Sequence, residues 1–163
     1  MVRHALSCAM MLALGAAGAA ALDPGFPLDA YAKLPEPQRA ALGVARDFMA
    51  AVSERNLERV LTRSAVPFLW DRKQTHETSE ALRAAFFLLF KEELNEKITV
   101  TADEIYPVGA AIGCAVSAEA MKYITDSVGK GGLLYFAYVQ NERIALILKQ
   151  SNSGIWHVVG FED

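Results

Sequence analysis

The sequence predicts one α+β domain in which helices come first and an antiparallel sheet ends the chain. Three observations predict it. Leu42, Ala45, Met49 and Val52 recur at helical spacing, with Phe48 beside them. Leu82, Ala85, Phe86 and Leu89 do so again, on a segment that Phe87, Leu88 and Phe90 make apolar nearly all round, as a helix buried on several sides would be. Between residues 133 and 161 two short turns link three apolar runs, the pattern of an antiparallel meander. A chain of 163 residues holds one such core and is too short for two.

The chain opens on a leader. Arg3 and His4 give a short positive start, Ala5 to Ala17 is nearly unbroken apolar sequence, and Ala19-Ala20-Ala21 supplies the small side chains that signal peptidase requires. A membrane anchor is the alternative, but Ala and Gly dominate the run and contribute little to insertion. Residues 1–21 are therefore expected to be a cleaved signal peptide, with the mature form starting at Leu22 and lying in the periplasm or outside the cell, free of the membrane. Cys8 leaves with the leader. Cys114 remains as a single thiol that cannot form an internal disulfide, and its apolar neighbours make it a small buried hydrophobe.

Residues 22–37 carry Pro24, Pro27, Pro35 and Pro37 and read as a linker. The domain is expected over 38–163. Its first helix runs from about Pro37 to Glu54, and Asn56 caps a short second one with Leu57, Val60 and Leu61 on its apolar face. Residues 66–71 form a strand that Pro67 confines to an edge or a strand start. Residues 73–77 are polar and loop-like, and Thr78 or Ser79 caps the helix of residues 80–90. Ile98 to Tyr106 is a strand ended by Pro107. Ser117 caps a short helix with Ala118, Met121 and Ile124 on one face. The glycine-rich stretch from Gly129 to Gly132 is a loop. The meander then has strands at 133–140, 144–149 and 155–161, with turns at Asn141-Glu142 and Ser151 to Gly154.

The net charge is −3 and no run of five like charges occurs, which argues against a nucleic-acid footprint or a charged tail. No histidine pair lies at ligand spacing, no Cys/His/Asp cluster is present, and no glycine loop opens a helix after a strand. Neither a metal nor a cofactor is expected.

Three passages carry a resemblance: Ala45-Arg46-Asp47-Phe48-Met49-Ala50-Ala51-Val52 followed by Asn56-Leu57-Glu58-Arg59-Val60-Leu61; Ser79-Glu80-Ala81-Leu82-Arg83-Ala84-Ala85-Phe86; and Ser153-Gly154-Ile155-Trp156-His157-Val158-Val159-Gly160-Phe161. Over about residues 38–163 the chain resembles the nuclear transport factor 2-like superfamily, also called SnoaL-like or cone-shaped α+β proteins. The resemblance implies N-terminal helices packed on a curved antiparallel sheet that forms a conical pocket. It does not imply one activity, because the fold hosts isomerases, dehydratases, ligand binders and assembly modules. The implied pocket is lined by Phe48, Met49, Trp70, Asp71, Phe86 and one face of the meander.

Ketosteroid isomerases of that superfamily need a carboxylate base and two donors, a tyrosine and a protonated aspartate, at the enolate oxygen. The resemblance puts the base on Asp71, the tyrosine on Phe48 and the aspartate near Leu146, so both donors are missing. Asp71 on its own reads as a solvated carboxylate beside Arg72 and Lys73, Trp70 as core or rim packing, and His76 as an exposed loop residue. Alternation puts His157 with Val159 and Phe161 on one face, and Trp156 with Val158 and Gly160 on the other. Tyr106, Tyr123, Tyr135 and Tyr138 are possible hydrogen-bond donors, and parity allows only one of Tyr135 and Tyr138 to face the pocket. The expected function is an exported, non-catalytic domain that binds a small apolar or amphiphilic molecule or a protein partner. The alternatives are an acid–base enzyme using Asp71, and a module that dimerises through an open sheet face.

Overall fold

Pro37 and Asn56 set the limits of the first two helices in the computed structural model, which describes residues 33–92, 98–110, 116–139 and 142–162. Helix α1 spans Glu36–Ser53 with proline in its first turn, where a missing N–H costs nothing. Arg55 reverses the chain at φ 54°, and the Asn56 side chain accepts the Arg59 N–H at 3.1 Å to start α2, Leu57–Arg63. Arg59 and Arg63 of α2 both reach back to Asp47 of α1. The hydrogen bond from Arg59 holds the Asp47 carboxyl below the usual carboxylate range.

The strands are β1 Ser64–Trp70, β2 Gln74–His76, β3 Val100–Pro107, β4 Leu133–Val139, β5 Glu142–Gln150 and β6 Trp156–Glu162. Helix α3, Ser79–Glu92, follows β2, while α4, Ala118–Tyr123, and a π-helical turn, Ile124–Val128, separate β3 from β4. The six strands form one sheet in the order β2-β1-β6-β5-β4-β3. The meander β4-β5-β6 is antiparallel as the sequence indicates, but β1 joins β6 in parallel, so the sheet is mixed. Residues 74–76, expected in a loop, pair with β1 as a short edge strand. The leader, Cys114 and Asn141 lie outside the described residues.

Pro67 is not on an edge strand, yet nothing there requires its missing N–H. Strand β2 pairs only with Phe68 to Trp70, and toward β6 the register shifts between Ser64 and Leu69. The Tyr123 hydroxyl lies within hydrogen-bond reach of both Pro67 O and Val159 O, which ties β1 to β6 across that gap. Burial pushes the Tyr123 phenol up. Where β6 then closes on β1 only glycine fits: a Cβ on Gly160 would lie 2.9 Å from Leu69 Cβ and 3.1 Å from Leu69 O.

The inner face of the sheet packs under α1, α2 and α3, with Phe68, Tyr135, Leu146 and Val158 at its centre. Helix α3 contributes Leu82, Phe86 and Leu89 to this core. It is not buried all round, because Phe87 and Leu88 are 55% and 51% exposed. The outer face carries Leu69, Leu134, Phe136, Ile147 and Val159 beneath α4 and the π turn. Helix α4 buries Ala120 and Tyr123 and exposes Ala118, and Ile124 is buried at the start of the π turn. Its orientation follows from its anchors: Glu162 accepts the Ser117 N–H at 2.7 Å, and the Tyr123 hydroxyl is fixed at the β1–β6 gap.

One parity expectation fails at a bulge. Ile147 pairs with Gly160 and Leu148 with Val158, so Val159 is an extra residue on β6. His157 and Val159 therefore face outward, whereas Phe161 joins Trp156 and Val158 on the inner face.

Candidate functional site

Strands β1 and β6 and helices α1 and α3 bring five aromatic rings together where the conical pocket is expected. Phe86 stands edge-on to Phe48, Phe68 and Trp70 at centroid distances of 6.0, 5.9 and 4.9 Å, and Trp70 meets Phe161 at 4.9 Å. These are favourable edge-to-face separations. Phe48, Met49 and Phe86 are all buried in this cluster, and Leu146 lies on the floor beneath it. Phe48 and Leu146 supply no hydrogen-bond donor to the interior.

Asp71 ends β1 at φ 43°, followed by Arg72 at φ 58°. This left-handed pair makes the turn into β2, and Asp71 is 4% exposed there rather than solvated. Its N–H donates to Phe161 O at 3.1 Å, and Lys73 Nζ stands 3.9 Å from Oδ2. On the neighbouring strand Glu162 is also buried. Its Oε1 faces Arg72 Nε at 2.9 Å, while its Oε2 is enclosed without a hydrogen-bond partner.

A second polar group escaped the sequence reading. Arg46 of α1 donates through Nε and Nη2 to the two oxygens of Asp103 on β3, at 2.6 and 2.9 Å. The Tyr135 hydroxyl donates to Asp103 Oδ2 at 3.1 Å. Such a fork of charge-assisted bonds is strong and directional. Burial and the Asp103 charge raise the Tyr135 pKa far above its ordinary value. The signal was available: Asp103 shares its parity with Ile105, so a carboxylate pointed at the core and required a partner. Tyr135 is thus the inward tyrosine of its pair, while Tyr138 is half-buried on the other face. Tyr106 packs outside against Phe136.

An opening lies between α3 and the β1–β2 hairpin. It is a cleft of about 320 Å³ lined by Ala81, Ala84, Ala85, Leu88 and Leu89 of α3 and by Trp70, Gln74 and His76 of the sheet. Three alanine and two leucine side chains face one tryptophan ring, with Gln74 and His76 as the polar groups. Small residues at 81, 84 and 85 keep the helix wall low, and the outward-turned Leu88 forms the lip. His76 is buried rather than an exposed loop residue, edge-on to Trp70 at 5.6 Å, because its strand pairs with β1. Desolvation lowers the His76 pKa below 6.5. Of the five residues expected to line a pocket, Trp70 lines this cleft, and Phe86 stands directly behind it.

The centre of the outer sheet face is covered. Leu134, Phe136 and Ile147 are at most 1% exposed beneath the segments between β3 and β4 and the Arg143 guanidinium. No helix among the described residues is long and apolar enough to cross a membrane, and no group of three His, Cys, Asp or Glu residues gathers there.

Neither a family model nor a curated protein matches the chain. Solved structures do. A protein of unknown function from Pseudomonas putida, described as NTF2-like, is 11% identical at a TM-score of 0.51, over 77% of this chain and 83% of that one. A putative ketosteroid isomerase from Shewanella frigidimarina is 14% identical at 0.47, over 78% and 96%. A cystatin-like protein of unknown function from Nostoc punctiforme is 11% identical at 0.46, over 76% and 86%. Only the first reaches a TM-score that bears weight, and identity this low speaks for architecture alone. Taken with the helix pair, the parallel β1–β6 junction and the closing meander, it shows that the chain has the nuclear transport factor 2-like α+β fold.

Proposed function

We propose that this domain is a binding module that holds a small apolar or amphiphilic molecule in the cleft between α3 and the β1–β2 hairpin, without transforming it. The cleft itself carries the reading. Its volume of about 320 Å³ and its alanine, leucine and tryptophan walls suit a ligand held by shape and burial, with Gln74 and His76 orienting a polar end. The packed aromatic cluster supports placing the ligand at this rim rather than in the cone, with Phe48, Met49 and Phe86 as the wall behind Trp70. The acid–base alternative has the burial of Asp71 in its favour. Against it, Phe48 and Leu146 offer nothing to a developing oxyanion, and donors of that kind are worth several kcal/mol of barrier. The leader extends the reading to compartment: an exported protein, acting outside the cytoplasm after cleavage beyond Ala21.

The test uses anilinonaphthalene sulfonate, an amphiphilic dye, as the probe. The folded protein should bind it saturably. Ala84→Trp fills the cleft from an exposed helix position and should weaken binding by about tenfold or more, a change of about 1.4 kcal/mol, while the unfolding midpoint stays in place. Asp71→Asn should leave dye affinity unchanged. Equal binding by Ala84→Trp, or turnover of an enolisable ketone that Asp71→Asn abolishes, would defeat the proposal.

A further inference from the structure

Lys149 and His157 stand directly opposite each other on β5 and β6. Side chains paired in this way share a face and lie within contact reach. Both point outward, into a hollow of about 160 Å³ between β6, the start of β1 and the π turn, whose other polar residues are Ser127, Ser151 and Tyr123. No carboxylate lines it. The pair therefore sets an ammonium and an imidazole side by side at one hollow, two groups that can each donate to an oxyanion.

The hydrogen bonds in place leave donors over. Lys149 Nζ gives one hydrogen to Ser127 O at 2.6 Å, and an ammonium has three. The Tyr123 hydroxyl is committed to the Pro67 and Val159 carbonyls. Ser151 Oγ accepts the Ile155 N–H at 3.2 Å and shares a hydrogen with Ser153 Oγ. His157 Nδ1 is buried and has no partner. Lys149 Nζ, with two hydrogens beyond the one given to Ser127 O, and the His157 ring thus line the same hollow. A volume about half the ~300 Å³ lower limit of ligand pockets admits a headgroup, not a large molecule.

From this geometry we infer that the hollow is a binding site for a small oxyanion, a carboxylate or phosphate group, held between Lys149 and His157. The site is on the opposite face of the sheet from the apolar cleft, and neither reading rests on the other.

The experiment follows the His157 ring resonances by NMR while inorganic phosphate, and separately acetate, is added to the purified protein at constant ionic strength balanced with chloride. At least one of the two should give a saturable shift. Lys149 is exposed, so Lys149→Gln leaves the fold intact, and it should weaken binding about tenfold. His157→Gln, followed at the Ser127 and Ser151 amides, should weaken it as well. Saturation by either oxyanion supports the site, and the tighter one identifies the headgroup. Failure of both to saturate, an equal response to chloride alone, or undiminished binding by Lys149→Gln would overturn it.

Discussion

Replacing Asp103 with alanine gives a sharp test of how α1 is fixed to the sheet. Asp103 is 4% exposed and serves three donors, two from Arg46 and one from Tyr135. The two partners respond differently to its loss. The Arg46 side chain is 30% exposed and recovers part of its hydration. Tyr135 is 0% exposed, so its hydroxyl would be left as a buried donor with no acceptor. Breaking a buried pair from one side costs about 3–5 kcal/mol, and the surviving exposure of Arg46 puts this case at the lower end. An orphaned hydroxyl accounts for about 1–3 kcal/mol of such a loss. Adding Tyr135→Phe to Asp103→Ala should therefore restore about 1–2 kcal/mol, although Tyr135→Phe alone destabilises by about 1 kcal/mol because it removes a sound hydrogen bond. Urea titration of the four proteins measures the cycle. A cost under ~1 kcal/mol for Asp103→Ala, or further loss when Tyr135→Phe is added to it, would refute the assignment of a buried, fully used carboxylate.

Phe86→Ala should cost about 3–5 kcal/mol by the same titration, because the ring is 2% exposed and meets three other aromatic rings of the inner core edge-on; a loss under ~1 kcal/mol would mean α3 is not the helix that closes the core. His76 should make stability pH-dependent. Its folded pKa is lowered by burial, so above pH 6.5 both states hold it neutral and its contribution is complete; as pH falls below 6.5 the unfolded chain takes up the proton first and stability drops until the folded pKa is passed. His76→Gln should flatten that limb, by at most about 1.4 kcal/mol per pH unit for one proton, and identical slopes in the two proteins would remove His76 from the wall of the cleft.

Helices and the meander were legible because their signals are local. The stripe through Leu42, Ala45 and Met49 and the cap at Asn56 each act within a few residues, and α1 and α2 begin and end where those residues place them. What escaped depends on pairing across the chain. Residues 74–76 have no strand signal of their own; they are a strand because β1 offers them an edge, and that pairing buries His76. Asp71 looked solvated among Arg72 and Lys73, but it is only 4% exposed at the left-handed turn it forms with Arg72. The bulge at Val159 reversed the parity of Phe161, and alternation cannot reveal a bulge without the partner strand. Of the candidate site, Trp70 was legible, but the alanine wall opposite was not, since small residues on a helix carry no sign of what they leave empty.

That empty space follows from how the core is filled. Once Phe161 turns inward, Trp70 has Phe86 and Phe161 each at 4.9 Å, and the ring cannot sink further without displacing one of them. Its remaining surface lies toward α3, where Ala81, Ala84 and Ala85 are too short to cover it. Larger residues at those positions would fill the space beside the tryptophan and close the cleft. A helix carrying Phe86, Leu82 and Leu89 on one face and three alanines on the next is thus consistent with two tasks, sealing the cone and leaving the Trp70 edge accessible. Any chemistry centred on Asp71 would have to proceed beside a packed aromatic interior, whereas a ligand at the proposed rim site would meet the edge of Trp70, which remains 9% exposed.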